Sequence, residues 1–203
     1  WSVVAPAIAP ELKAWDKILG MTEPGDPYIV PKGDPTQAAR HLEDLEDSVE
    51  LLRLLLGDEA NWASTFQSSF SSMLSVPERL GLPGASKDVI WVGSDATLDR
   101  FGAVEWSSNL YSAEAVGDFA KALAHAAGDD DPDVIVALTE LIGLNTLAAA
   151  RARAWTGKTI IYGGDNSNCI GWLRNMTAGN RLARHLLRTL RHLMTKYKFR
   201  LYP

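Results

Sequence analysis

Residues 158–173 read KTIIYGGDNSNCIGWL, and the fold turns on how they are read. Lys158 to Tyr162 is a run of β-favouring apolar residues closed by Gly163 and Gly164, the pattern of a short buried strand. Asp165 follows directly, behind two glycines whose missing side chains let a backbone turn sharply. A helix is expected from about Ser167, with a pause around 177–180 and a longer helix from Arg181 to about Tyr197. Strand, acid, then helix is the building unit of an α/β sheet.

Working outward, Val89 to Gly93 and Phe101 to Trp106 are two further β-favouring runs. The turn-prone stretch Ala96 to Arg100 lies between them, which predicts an antiparallel hairpin. Residues 113–127 have helical composition, and 128–133 (GDDDPD) read as an exposed acidic loop. Leu138, Leu141, Ile142, Leu144 and Leu147 supply the apolar face of a helix expected to end near Gly157. Phe199 to Tyr202 begins a last strand. The expected class is therefore α/β (α+β), a mixed sheet flanked by helices.

The N-terminal part is of another kind. Residues 1–35 hold six prolines and predict an extended arm with one short helix near Glu11 to Leu19. From Thr36, Leu42, Leu45, Val49, Leu52 and Leu56 recur at helical spacing, with Gly57 as a stop. A second helix is expected from Asp58 to about Leu74, and Pro83, Gly84 and Ser86 read as a linker. Three regions follow: an arm over 1–35, a helical segment over 36–84, and an α/β domain over 87–203.

At 46% hydrophobic and 22% charged, the composition is that of a chain with a real core. No apolar run reaches the length of a membrane span. Cys169 is the only cysteine, which removes any internal disulfide and fits an intracellular protein. The opening Trp1 suggests a processed product or a fragment. The net charge of −5 conceals a split: acids crowd Glu23 to Glu59, and none follows Asp165, while eight Arg and Lys do. Such asymmetry points to a polyanion partner or to a solvated basic helix face.

Three acids stand at chemically informative places: Asp95 at the end of the first strand, Glu140 expected in the first turn of its helix, and Asp165 just past the strong strand. Singly, each has a structural explanation as a turn former, a helix-dipole partner or an N-cap. Together, acids at strand ends can converge at one edge of an open sheet. Clustered carboxylates call for a hard cation such as Mg²⁺ or Mn²⁺, and a pair of such ions can serve phosphodiester cleavage.

The order strand–Asp, strand, helix–Glu, strand–Asp, helix resembles the RNase H-like domains of retroelement reverse transcriptases. Residues 94–106 (SDATLDRFGAVEW) are similar to their first hairpin, with Asp95-Ala96-Thr97 and then Gly102-Ala103. Residues 135–150 (IVALTELIGLNTLAAA) look like their first helix, with Glu140 as the second acid. Residues 158–173 look like their strand ending in Asp165-Asn166, followed by a helix with Trp172-Leu173. The likeness is greatest to tyrosine-recombinase (DIRS-like) retroelements, and residues 36–80 resemble the preceding thumb or connection region. The resemblance implies Asp95, Glu140 and Asp165 as catalytic, metal-binding residues for Mg²⁺- or Mn²⁺-dependent cleavage of RNA in RNA–DNA hybrids. It further implies a fourth acid on a helix after the final strand. Pro203 falls where that strand begins, so the expected domain lacks its C-terminal helix.

In residues 181–197, Leu182, Leu186, Leu190 and Leu193 form a core stripe, and Arg181, Arg184, Arg188 and Arg191 form another. With Asn166, the arginines are the candidate nucleic-acid contacts, of the salt-sensitive, sequence-indifferent kind. An arginine face could equally meet the acidic 43–50 helix of this chain or of a partner. His185 and His192 lack neighbours at zinc-ligand spacing, and Cys169 reads as a buried small residue. Two other readings stay open. One is a non-catalytic RNase H-like scaffold docking other chains through its acidic helix and N-terminal arm; the other is a helical adaptor without nucleic acid.

Overall fold

The computed structural model describes residues 35–57, 88–116, 118–126 and 131–203. The expected arm up to residue 34, the second N-terminal helix, the linker and residues 128–130 of the acidic loop lie outside the described residues. The chain divides into two compact units, Trp1–Gln67 and Ser68–Pro203.

In the first unit, helix α1 spans Pro35–Leu56. Its most buried positions are Asp44, Ser48 and Leu51, one step round the helix from the predicted leucine stripe, and Leu42 is exposed. Ser48 reconciles its burial by donating to the Asp44 carbonyl at 2.7 Å.

The second unit is a five-stranded mixed sheet flanked by helices. Along the chain come β1 (Val89–Ala96), β2 (Arg100–Glu105), a 3₁₀ turn (Trp106–Ser108), β3 (Leu110–Ala115), α2 (Phe119–Ala126) and α3 (Pro132–Arg151). After these come β4 (Thr159–Gly163), α4 (Ser167–Asn175), α5 (Arg181–Tyr197) and β5 (Arg200–Tyr202). The sheet order is β3-β2-β1-β4-β5. The predicted hairpin is β1–β2, antiparallel with Ala96 opposite Phe101, while β4 runs parallel to both β1 and β5.

Two expectations need correction. Residues 113–127 are not one helix: Leu110–Ala115 is a strand paired antiparallel with β2, and only Phe119–Ala126 is helical. LYSAEA carries helix formers and no alternation, because this edge strand is exposed along nearly its whole length. Pairing with β2 overrides local propensity there. Glu140 is also not in a first turn. The Asp131 side chain accepts from the Asp133 amide at 3.0 Å with Pro132 behind it, so α3 starts earlier and Glu140 lies mid-helix.

Helix α3 is the core element. It packs on β1 and β2 and touches α2, α4 and α5. Leu138, Leu141 and Leu144 are fully buried. By length and a mean hydropathy of 1.5 it could cross a membrane, yet it is the central helix of the fold, mostly buried within the unit. Gly143 admits the Phe101 ring, since a Cβ there would stand 2.9 Å from Cδ2. The opposite sheet face carries Trp91, Trp106 and Tyr111, each more than half exposed.

The C-terminal end of α3 is latched to β2 by Glu105, which is 2% exposed. Its carboxylate accepts from Arg151 Nε at 2.9 Å and Nη2 at 3.1 Å, from Trp155 Nε1 at 2.9 Å and from Ser108 Oγ at 2.6 Å. Burial alone would raise its pKa, but the donors of Arg151, Ser108 and Trp155 hold it below its ordinary value. Removing one partner strands the other charge. Arg151→Ala is expected to destabilise the domain by about 3 kcal/mol in urea unfolding, and Arg151→Ala/Glu105→Gln by clearly less. Equal losses in the two variants would mean that the latch works through packing alone.

Candidate carboxylate site

β1 and β4 are parallel neighbours, with Gly93 opposite Gly163. Asp95 and Asp165 each lie two residues beyond that pair, since 95 − 93 and 165 − 163 are both 2. Both are exposed, at the C-terminal edge of the two central strands. Glu140 comes to the same edge from α3 but is 1% exposed. The structure therefore brings the three sequence-predicted acids to one edge, two on the surface and one beneath it.

The sequence pattern did not disclose what holds Glu140. The Tyr162 hydroxyl donates to Glu140 Oε1 at 2.7 Å. Ser94 Oγ lies 2.7 Å from the same hydroxyl and 3.1 Å from the Glu140 carbonyl oxygen, where it serves as donor. Cys169 Sγ completes the cluster at 3.8 Å from the Tyr162 oxygen. Glu140 Oε2 has no donor among the described residues. One signal was available: a tyrosine inside a buried strand has a hydroxyl that must find a partner.

The glycines also act differently from expectation. Neither Gly163 nor Gly164 has a positive φ; among the described glycines only Gly157 does. Gly164 matters through space: a Cβ there would run into Glu140 Oε1 and stand 2.8 Å from the Tyr162 hydroxyl. Its bare backbone lets the Glu140 carboxylate lie against the segment that carries Asp165.

Burial lifts the Glu140 pKa most, the Tyr162 hydrogen bond opposes it, and the charges of Asp165 and Asp95 add to it, for a value of about 7. Burial likewise drives the Tyr162 hydroxyl upward and pushes the Cys169 thiol up to about 12, so both stay protonated at neutral pH. Cys169 is the buried small residue the sequence predicted.

Carboxylate oxygens are the donors a hard divalent cation takes, and one Glu140 oxygen has no donor among the described residues. Among the described residues, no three His, Cys, Asp or Glu side chains stand close enough together to surround one ion.

The basic helix divides. Arg191 is buried and donates to the Met176 carbonyl at 2.9 Å, so it does not belong to a solvent stripe. Arg184 Nη1 donates to Ala178 O at 3.2 Å and Gly179 O at 2.6 Å. Both brace the 176–180 corner between α4 and α5. Arg181 is exposed and Arg188 half-buried. Asn166 caps α4, its Oδ1 accepting from the amides of Asn168 at 3.0 Å and Cys169 at 3.1 Å. The inward face of α5 centres on Ala183, Leu187 and Leu190, with Leu182, Leu186 and Leu193 packed partly against the core.

Fold and site together define an α+β domain with an acidic sheet edge. Comparison with protein-family models, with curated proteins and with solved structures returns no match.

Glu140 ties stability to pH. The folded chain keeps its proton up to about pH 7, whereas a free carboxyl loses it near 4.5. As pH rises through that window the folded state must give up a proton the unfolded state has already lost, so stability falls and then levels off. The full effect is about 3 kcal/mol. Glu140→Gln is expected to abolish this slope and to be more stable than the parent at pH 8 in urea unfolding. Parallel pH profiles for the two proteins would refute the assignment. Gly164→Ala is expected to dislodge the Glu140 side chain and to lower stability by about 1–3 kcal/mol through overpacking, read by thermal unfolding.

Proposed function

We propose that residues 87–203 are an RNase H-like domain of retroelement reverse-transcriptase type, cleaving RNA in RNA–DNA hybrids at Asp95, Glu140 and Asp165. The observation that carries this reading is the equal register of Asp95 and Asp165 on adjoining parallel strands, with Glu140 close enough to feel both charges. The folded elements also keep the order strand–Asp, strand, helix–Glu, strand–Asp, helix on which the resemblance rests.

In this reading the three acids hold Mg²⁺ or Mn²⁺. Held there, such an ion would supply a Lewis acid for a phosphoryl oxygen and would lower the pKa of a bound water. The chain's own part is placement: two exposed carboxylates reach solvent and substrate, and a buried third is fixed from α3. Of the four arginines of α5, Arg184 and Arg191 bond to main-chain carbonyls, and Arg181 is the exposed one offered to backbone phosphates.

One observation favours a second reading, a non-catalytic scaffold docking other chains. Glu140 is almost wholly buried, with one oxygen committed to Tyr162. There the acidic edge would be a relic, and the acidic 43–50 face of α1 would serve as a docking surface.

The deciding measurement is hydrolysis of a labelled RNA–DNA hybrid with Mg²⁺ or Mn²⁺, beside Asp165→Asn. Cation-dependent cleavage, lost at least a hundredfold in the variant, is expected. Hybrid binding that weakens steeply with salt, without cleavage in either protein, would select the scaffold.

A further inference from the structure

We propose that β3 is a pairing edge for a second copy of this chain, joining two five-stranded sheets antiparallel about a two-fold axis at Ala113. The inference is independent of the acidic site.

The two edges of the sheet differ. β5 is 3 residues long, opens with Arg200 and has no exposed position. Such a short, charged strand offers little to a pairing chain. β3 is 6 residues long and exposed at all positions but Ser112, with Tyr111 82% exposed. It holds no proline, lysine or arginine. Its register with β2 runs unbroken from Arg100–Ala115 to Glu105–Leu110, so no bulge turns it away from a partner. The usual protections of an edge strand are missing here.

The ladder fixes which main-chain groups are free. The Val116 amide donates to the Asp99 carbonyl at 2.7 Å, which makes these two residues a hydrogen-bonded pair. Antiparallel alternation then turns the main chain of Glu114, Ser112 and Leu110 towards β2, and that of Ala115, Ala113 and Tyr111 outward. The outward amides and carbonyls have no partner among the described residues.

A second copy of β3 satisfies them all. With Ala113 facing its own counterpart, Tyr111 meets the partner subunit's Ala115, and every outward amide meets an outward carbonyl. Glu114 then stands opposite the partner subunit's Ser112, so like charges do not face each other. Directly opposed residues share a sheet face, which sets Arg100, Ala115 and the partner subunit's Tyr111 in one row. Arg100 is exposed, and only the Ala115 methyl lies between it and that ring. The guanidinium can therefore lie on the tyrosine, twice by symmetry. An unrelated extended peptide would use the main-chain groups alone, so this row favours a copy of the same strand. Strands of this length bury less than the roughly 1,200–2,000 Å² of a standard interface, so the dimer exchanges, with Kd on the order of 10 µM.

The test is sedimentation of the full chain from about 1 µM to about 300 µM. It is expected to pass from monomer to dimer, with the amides of Tyr111, Ala113 and Ala115 gaining protection from hydrogen exchange. Ala113→Pro removes an amide that makes no bond within the chain, as proline on a sheet edge can. It is expected to raise Kd at least about tenfold while leaving the thermal unfolding of dilute protein unchanged. Should it fail to fold, Ala113→Lys, which sets two like charges at the axis, takes its place. Arg100→Ala is expected to weaken the dimer about 5- to 30-fold. Mild oxidation of Ala113→Cys should yield a linked dimer, since facing Cα atoms of a bonded pair lie about 5.5 Å apart, and Cys169 is buried. Tyr111→Cys should not crosslink. A chain that stays monomeric to the highest concentration overturns the proposal. So does a dimer that Ala113→Pro and Ala113→Lys leave unchanged, or one that crosslinks equally through Tyr111→Cys.

Discussion

The burial of α3 against the sheet is the constraint on which the rest of the second unit depends. Its leucines face β1 and β2 on one side and the other helices on another, so little of its circumference is free for polar groups. Each buried polar side chain on it therefore needs a partner close at hand. Thr139 returns to the Ile135 carbonyl at 2.9 Å and Asn145 to that of Leu141 at 2.9 Å, both within the helix. Glu140 has no such local solution. Its carboxyl instead reaches across to the sheet, where the Tyr162 hydroxyl donates to it at 2.7 Å.

Two buried carboxylates, Glu105 and Glu140, show how surroundings divide one chemistry into two roles. Glu105 is met by a guanidinium, an indole and a hydroxyl, and its charge is welcome. The Arg151 and Trp155 donors close β2 onto the C-terminal end of α3, and the group acts as a latch. Glu140 is met by one neutral hydroxyl and two further acids, and its charge is resisted. A group held in an environment that opposes its own ionised state marks a candidate functional site. The contrast comes from partners, since both side chains are almost fully buried.

The basic C-terminal region divides along the same lines. Arginines that look equivalent along α5 separate once the 176–180 corner folds back beneath them. Met176 ends α4 in the left-handed conformation, leaving main-chain carbonyls at the corner that Arg184 and Arg191 satisfy. Part of what reads as a phosphate-binding surface is thus a structural brace, and net charge alone would have overstated the area open to a polyanion.

Elements with a strong local signal could be read from the sequence. β1, β2, β4, α4 and α5 announce themselves through β-favouring runs and leucine spacing, and all lie close to where those signals predict. β3 could not be read so, because an exposed edge strand has no apolar alternation to display and takes its conformation from β2. The acids Asp95, Glu140 and Asp165 were legible as residue types at strand and helix positions. Their equal register depends on the pairing of Gly93 with Gly163, strands separated by more than sixty residues. Ser94, Tyr162 and Gly164 were not legible as parts of a site, since their roles consist of contacts with Glu140 that no local pattern encodes. The sequence by itself determined most of the strands and helices and the place of Asp95 and Asp165 at strand ends, because propensity and periodicity act over a few residues. Only the tertiary structure decided which acid is buried, which hydroxyl holds it and which arginines turn inward, because burial and hydrogen bonding are settled between elements distant along the chain.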